Sequence, residues 1–179
     1  LLVCCTYPPE QVTERGSKNL SNLINLGFNV LITGPSPETY KKILKKGFFD
    51  GNYLRGPEIA MFASVPQIAI KYGISLIFWG ANPALTANDN NTNNLDPYDG
   101  NNLRNANTVK NCDTSWIDKL TKKNKIIPYY YPSIKEFKKN YIQIIYLGWF
   151  WKNWSITNNA KYSALNGLSI RKDKPSNTG

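Results

Sequence analysis

"LLVCCTYPPEQVTERGSKNLSNLINLGFNVLITG" (residues 1–34) decides the fold class. Its ends are short apolar runs, "LLVCCTY" at 1–7 and "FNVLITG" at 28–34, of strand length and too short for helices. "PPEQ" turns the chain after the first run. Leu20, Leu23 and Ile24 then form an apolar stripe at helical spacing, on a helix expected from about Val12 to Leu26 and stopped by Gly27. Two strands joined through a helix make a parallel pair, because parallel strands need a crossover and the helix supplies it.

The same rhythm continues outward. Ser36-Pro37-Glu38 is a helix start: a capping hydroxyl, a proline suited to the first turn, and an acid at the positive end of the dipole. Tyr40, Ile43 and Leu44 supply its inner face, and Gly47 is expected to end it. Gly56-Pro57-Glu58 opens a third helix whose buried side is expected to carry Met61, Phe62, Val65, Ile68, Ala69 and Tyr72. Pro66 should kink it and Gly73 should cap it. "SLIFWG" (75–80) is a third strand, apolar on both faces. This order predicts a parallel sheet covered by helices on both sides. Its core is expected to include Leu2, Val3, Leu23, Val30, Ile32, Ile68, Ile77 and Ile144.

Past Ala81 the pattern stops. Residues 81–111 are dominated by Asn, Asp and Thr, and a loop of that length is functional or disordered. A short helix is expected over 113–124, capped by Asp113 or Thr114. "IIPYYYP" reads as extended, "SIKEFKKN" (133–140) as a helical turn or two, and "YIQIIYLGWFW" (141–151) as the last strand. No internal repeat or linker divides the chain, so residues 1–179 read as a single domain.

The 179 residues carry a net charge of +10 and no histidine. The charge fits an anionic partner such as nucleotide or RNA, or else a codon bias toward Lys, Asn, Ile and Tyr. "KKILKK" at 41–46 reads as the solvated face of a helix. Without histidine, Ser-His-Asp, Cys-His and zinc-protease mechanisms are excluded within this chain. Cys4, Cys5 and Cys112 have neither disulfide nor zinc spacing, and a reduced cytoplasm fits them. No apolar run reaches membrane-spanning length. The absence of an initiator Met and the polar end "DKPSNTG" read as a fragment at both ends.

In open parallel sheets, ligands bind beyond the carboxyl ends of the strands. Here those ends are Thr6-Tyr7-Pro8, Gly80-Ala81-Asn82 and Gly148-Trp149. Gly80 lets backbone or ligand approach closely, and Asn82 offers both donor and acceptor. The competing reading of Gly80 is a plain turn glycine.

Several blocks resemble a known family. They are residues 1–49 ("LLVCCTYPPEQV" through "KKGFF"), "PQIAIKYGISLIFWGANPALT", "YDGNNLRNANT", "IIYLGWFWKNWS" and "YSALNGLSIRKDKPSNTG". Together they resemble the N-acetyl sugar amidotransferases of bacterial lipopolysaccharide and flagellin-sugar synthesis, including pseudaminic acid and related nonulosonates. That family belongs to the PP-loop ATP pyrophosphatases. The resemblance implies a Rossmann-like three-layer α/β/α sandwich with a mostly parallel sheet, like the adenine nucleotide α-hydrolases, truncated here at its N-terminus. It implies ATP with Mg²⁺ as cofactors, a nucleotide-linked or free N-acetyl sugar as substrate, and ammonia from a glutaminase subunit, with a cyclase-like subunit as a further partner. It places nucleotide contacts at Cys5, Thr6, Tyr7, Gly80, Ala81 and Asn82. Substrate contacts would fall to Asp99, Asn101 and Arg104 in "YDGNNLR" and to Lys152, Asn153 and Trp154. Each of these also has a plain reading as strand end, solvated loop or aromatic cluster. No catalytic residue and no metal ligand is assigned.

The chain departs from the family in several places. The signature loop Ser-Gly-Gly-x-Asp-Ser, the family's N-terminal Cys-containing segment and its final helices are absent from the 179 residues, and position 81 is Ala where relatives often carry an acid. The chain by itself is therefore expected not to turn over ATP. Two other functions stay open: a PP-loop tRNA-modifying enzyme, which the charge suits, and a non-catalytic nucleotide- or sugar-binding module, which the missing loop suits.

Overall fold

Residues 1–34 fold as a strand, a helix and a strand. In the computed structural model, which describes residues 1–6, 13–80, 103–104, 113–150 and 155–170, β1 (Leu2–Cys5) and β2 (Val30–Thr33) pair in parallel. Leu2 lies opposite Val30 and Cys5 opposite Thr33. The crossover contains α1 (Glu14–Asn25), whose first turn is closed by Thr13: its hydroxyl accepts from the Gly16 N–H at 3.0 Å. Gly27 leaves the helix with φ +92°, a conformation that costs other residues energy.

Two helices follow, α2 (Pro37–Phe49) and α3 (Arg55–Tyr72), and then β3 (Leu76–Trp79). Further along, α4 (Ile134–Lys139) precedes β4 (Gln143–Tyr146), which pairs in parallel with β3. The chain goes on through α5 (Leu147–Phe150) and α6 (Ile156–Leu165). The fold is mixed α/β with short parallel strands. No helix among the described residues is long and apolar enough to cross a membrane.

The expected single sheet is not what the described strands form. They make two separate parallel pairs, β1–β2 and β3–β4, and α3 packs against both β1 and β3. The core sits where α3 meets α2, β3, β4 and the segment 113–142. Ile59 and Ala63 of α3, Ile43 of α2, Ile77 and Ile144 are at its centre. Of the expected core, Ile77 and Ile144 are fully buried. Leu2, Val3, Leu23, Val30 and Ile68 are only half-buried, and Ile32 is exposed. The reason is that the core is built on the β3–β4 side, so β1–β2 is covered only in part. On β3 the side chains alternate, with Ile77 in and Leu76 and Phe78 exposed, so the strand is not buried on both faces as its composition suggested. On α3, Met61 and Tyr72 also face outward.

Several local readings are corrected. Gly47 does not end α2, which runs on to Phe49. A Cβ at Gly47 would stand 2.7 Å from the Asn52 carbonyl, so this glycine permits a close backbone approach, and the chain turns at Gly51, where φ is +78°. Ser36 holds the N-cap position of α2, but its hydroxyl donates to Thr39 at 3.0 Å rather than capping the backbone. Residues 113–124 form turns, not an α-helix. Asp113 accepts from the Ser115 N–H at 2.9 Å, a local bond that competes with helix, and a 3₁₀ turn follows at Lys123–Lys125. Ile127–Tyr129 is a second 3₁₀ turn inside the stretch read as extended. The apolar run 141–151 divides into β4 and α5, because composition alone does not separate a buried strand from a buried helix.

The start of α4 is a reciprocal cap. The Ser133 hydroxyl accepts from the Glu136 N–H at 3.3 Å, and the Glu136 carboxylate accepts from the Ser133 N–H at 2.8 Å. The hydrogen bonds from the Ser133 hydroxyl and backbone hold Glu136 below the usual carboxylate range, against a small opposing effect of burial. A depressed folded pKa stabilises above the unfolded value and is lost as pH falls through the folded one. Ser133→Ala is expected to cost about 1 kcal/mol at neutral pH. The deficit should shrink in acid, below the usual carboxylate range, as Glu136 protonates. Urea titrations at both pH values check this, and an unchanged deficit in acid would remove Glu136 from the cap.

Candidate functional site

The carboxyl end of β1 is the part of the predicted rim that the structure builds most fully. The Thr6 N–H donates to the Thr33 carbonyl at 2.8 Å, carrying the ladder one residue past the end of β1. Gly34 follows at the end of β2, and a Cβ there would meet the Thr6 carbonyl at 2.5 Å. Glycine at this position lets the two strand ends close against each other.

Cys5 is half-buried, with its thiol hydrogen-bonded to Ser64 on α3. Ser64 in turn donates to the Met61 carbonyl at 2.8 Å. Burial pushes the Cys5 thiol up, the Ser64 bond partly offsets this, and neighbouring Cys4 adds to it. A thiol so placed stays protonated at neutral pH and is a poor nucleophile. Iodoacetamide is therefore expected to alkylate Cys5 more slowly than free cysteine at neutral pH, and faster as pH rises. Peptide mass spectrometry checks this; rapid labelling at neutral pH would show an activated thiolate.

Cys5 and Thr6 line a cavity of about 60 Å³ together with Pro35, Tyr40, Pro57 and Met61. It has room for a water or two, whereas small-molecule pockets run to about 300–1,000 Å³. Beside this cluster lies Tyr129, fully buried on the second 3₁₀ turn. Its phenol is pushed well above the usual range by burial first, then by Tyr40 and Cys5. Its hydroxyl has no hydrogen-bond partner among the described residues. Sequence reasoning did not single out Tyr129, because nothing in "IIPYYYP" distinguishes one tyrosine from the next.

Gly80 follows β3 but does not share that cavity. It lines a larger one of about 550 Å³, bounded by β1, β3 and α3. The structure thus brings Cys5 and Thr6 together and sets Gly80 against a different cavity. Arg104 is seated on aromatic rings. Its guanidinium lies 5.2 Å from the Tyr131 ring centre and 5.1 Å from that of Phe137, and it donates to the Pro132 carbonyl at 3.4 Å. Tyr7, Ala81, Asn82, Asp99, Asn101, Lys152, Asn153 and Trp154 lie outside the described residues.

A second cationic cluster was not legible in the sequence. Arg55 opens α3 with its guanidinium 4.7 Å from the Trp116 ring centre, and it reaches the Asp113 carbonyl at 3.3 Å and carboxylate at 3.7 Å. Hydrogen bonds from Ser115 hold the Asp113 carboxyl below the usual range, and Arg55 adds to them. Here turn geometry, not periodicity, joins residues 55 and 113.

The Thr6 N–H is taken by the Thr33 carbonyl, the sequence holds no glycine-rich phosphate loop, and the cavity at Cys5 and Thr6 is too small for a triphosphate. No three His, Cys, Asp or Glu side chains converge on a metal-sized site among the described residues. No family model matches the sequence, and no curated protein matches it.

Proposed function

We propose that this chain carries part of an ATP-dependent amidotransferase of bacterial surface-polysaccharide or flagellin-sugar synthesis, on a Rossmann-like α/β/α sandwich. The reaction converts a sugar N-acetyl group to an acetamidino group. The amide oxygen attacks the α-phosphorus of ATP and pyrophosphate leaves. Ammonia then adds to the activated carbon, and AMP departs with the oxygen. An amide oxygen is a poor leaving group until it carries AMP, which is why ATP is needed. The observation that carries the reading is positional. The resembling blocks "LLVCCTY", "FNVLITG" and "SLIFWG" contain β1, β2 and β3, and the "IIY" that opens "IIYLGWFW" lies in β4; these strands pair in parallel, β1 with β2 and β3 with β4.

In this reading the base lies against the backbone at Cys5 and Thr6, and ammonia comes from a glutaminase partner in the cytoplasm. The alternative, a tRNA-modifying enzyme, draws on the net charge of +10. On α2 that charge is partly neutralised, since Lys42 pairs with Glu38 at 2.8 Å and Lys46 pairs with Asp50.

The test is deletion of the gene in its source organism, followed by mass spectrometry of surface sugars. Acetamidino sugars should be replaced by acetamido sugars, with tRNA modification unchanged. Retained acetamidino sugars would sink the proposal, and lost tRNA modification would favour the alternative. The purified 179 residues should show no appreciable ATP–pyrophosphate exchange, because the phosphate loop is not among them.

A further inference from the structure

The end of α2 carries two large aromatic side chains into solvent. Phe48 is 68% exposed and Phe49 is 73% exposed, and Tyr53 and Leu54, in the turn to α3, are exposed as well. Clustered apolar side chains in water mark a contact surface, whereas single ones do not. Their support is rigid. The Asn52 N–H donates to the Gly47 carbonyl at 2.8 Å and the Gly51 N–H to the Phe48 carbonyl at 3.1 Å, which closes the turn. Gly51 takes φ +78° there, and the Asn52 side chain accepts from the Arg55 N–H at 3.1 Å. The two phenylalanine rings meet edge to face, with centres 5.8 Å apart and planes at 81°.

The same side of the helix is basic. Lys45 precedes Phe48 and Phe49 by one turn, and Lys41 precedes Lys45 by another, so these four side chains share one side of α2, opposite the buried Ile43 and Gly47. Glu38 neutralises Lys42, and Asp50 neutralises Lys46. Lys41 and Lys45 are exposed and have no carboxylate partner among the described residues. We infer that this side of α2 and the turn after it dock on an anionic lipid bilayer, with Phe48 and Phe49 entering the interface and Lys41 and Lys45 meeting the lipid phosphates.

The chemistry selects this occupant. Apolar rings beside unpaired lysines match a surface that is anionic outside and apolar just beneath, and such docking needs no membrane-spanning helix. A single-stranded RNA would need ring faces on which successive bases stack. Rings at 81° offer no two parallel platforms, and Leu54 has no ring face at all. A second copy paired about a two-fold axis would set Lys41 and Lys45 against the same lysines of its mate, which is repulsive. The net charge of +10 favours the anionic bilayer and does not by itself call for the phenylalanines. This inference does not depend on the proposed amidotransferase function.

The probes are vesicles of phosphatidylcholine, with and without phosphatidylglycerol, sedimented with the purified 179-residue protein. The anionic vesicles should bind it at least about tenfold more tightly than the neutral ones. Phe48→Ser together with Phe49→Ser should weaken anionic binding at least about tenfold. Lys41→Glu together with Lys45→Glu should weaken it by a similar factor. All four positions are exposed, so the urea midpoints of both variants should change little. Phe49→Trp should tighten binding, because tryptophan favours the membrane interface. A protein held only by its overall charge would bind anionic vesicles equally with or without the phenylalanines. That result, absent binding, or a phenylalanine-dependent complex with a uridine oligonucleotide or with a second copy in the absence of lipid would each overturn the inference.

Discussion

Gly56→Val is expected to destabilise the chain by about 3 kcal/mol, at the upper end of what overpacking costs. Gly56 is buried in the first turn of α3, where that helix packs against α2. A Cβ there would stand 2.5 Å from Cγ2 of Ile43 and 3.8 Å from the Trp116 ring. Ile43 is itself only 1% exposed and β-branched, so it has neither space nor rotamers with which to retreat. The two helices must separate or Ile43 must leave its well. Helix propensity pulls the other way, since replacing glycine within a helix gains about 1 kcal/mol. The sign of Gly56→Ala therefore decides between the effects, and the steric term is expected to win. Ile43→Ala alone should cost about 2–5 kcal/mol by leaving a cavity. Gly56→Ala added to it should cost far less than Gly56→Ala alone, because the new methyl enters that space. Urea midpoints for the four proteins complete the cycle; a stabilising Gly56→Ala would mean that the helices do not meet this closely.

How much of this was legible in the sequence depended on the range of the physics involved. Gly73 was recognised as a helix stop because its role is local, a left-handed residue at φ +67° after the last turn. Gly47 and Gly56 look the same in sequence, yet they serve close approaches to Asn52 and Ile43, which only the tertiary fold brings near. The alternation of strand and helix was readable because it rests on periodicity. The separation into two parallel pairs was not, because periodicity says nothing of which edges meet. The candidate site divides the same way. Thr6 was named by the rule that ligands bind beyond the carboxyl ends of strands, and Cys5 only by the family resemblance. Tyr129 and Arg55 enter their clusters through turns whose geometry no spacing encodes. Asp113 shows the limit most simply: Asp113 or Thr114 was expected to cap a helix, but the bond of Asp113 to Ser115 closes a turn and no helix follows.

Leu103→Ala is expected to cost about 2–5 kcal/mol, although it lies in a stretch whose composition reads as solvated loop. Leu103 is 1% exposed and belongs to the same core as Ile117, Tyr131 and Phe137. The next residue, Arg104, lies over the Tyr131 and Phe137 rings, which themselves stack with centres 5.6 Å apart. One apolar side chain in the core and one planar cation on its aromatic border thus anchor this point of the polar segment. Alanine at 103 removes the buried side chain and leaves a void that packed neighbours refill only in part. Leu103→Met, close in volume, should cost under about 1.5 kcal/mol. Leu26→Ala, at an exposed leucine after α1, should change stability by less than about 0.5 kcal/mol. The measurement is the urea midpoint of each variant. If Leu103→Ala behaves like Leu26→Ala, the segment is not anchored in solution, and Arg104 has no fixed seat from which to meet a sugar phosphate or carboxylate. If the loss is large while Arg104→Ala costs about 1 kcal/mol or less, it is Leu103 rather than the guanidinium that carries the anchoring.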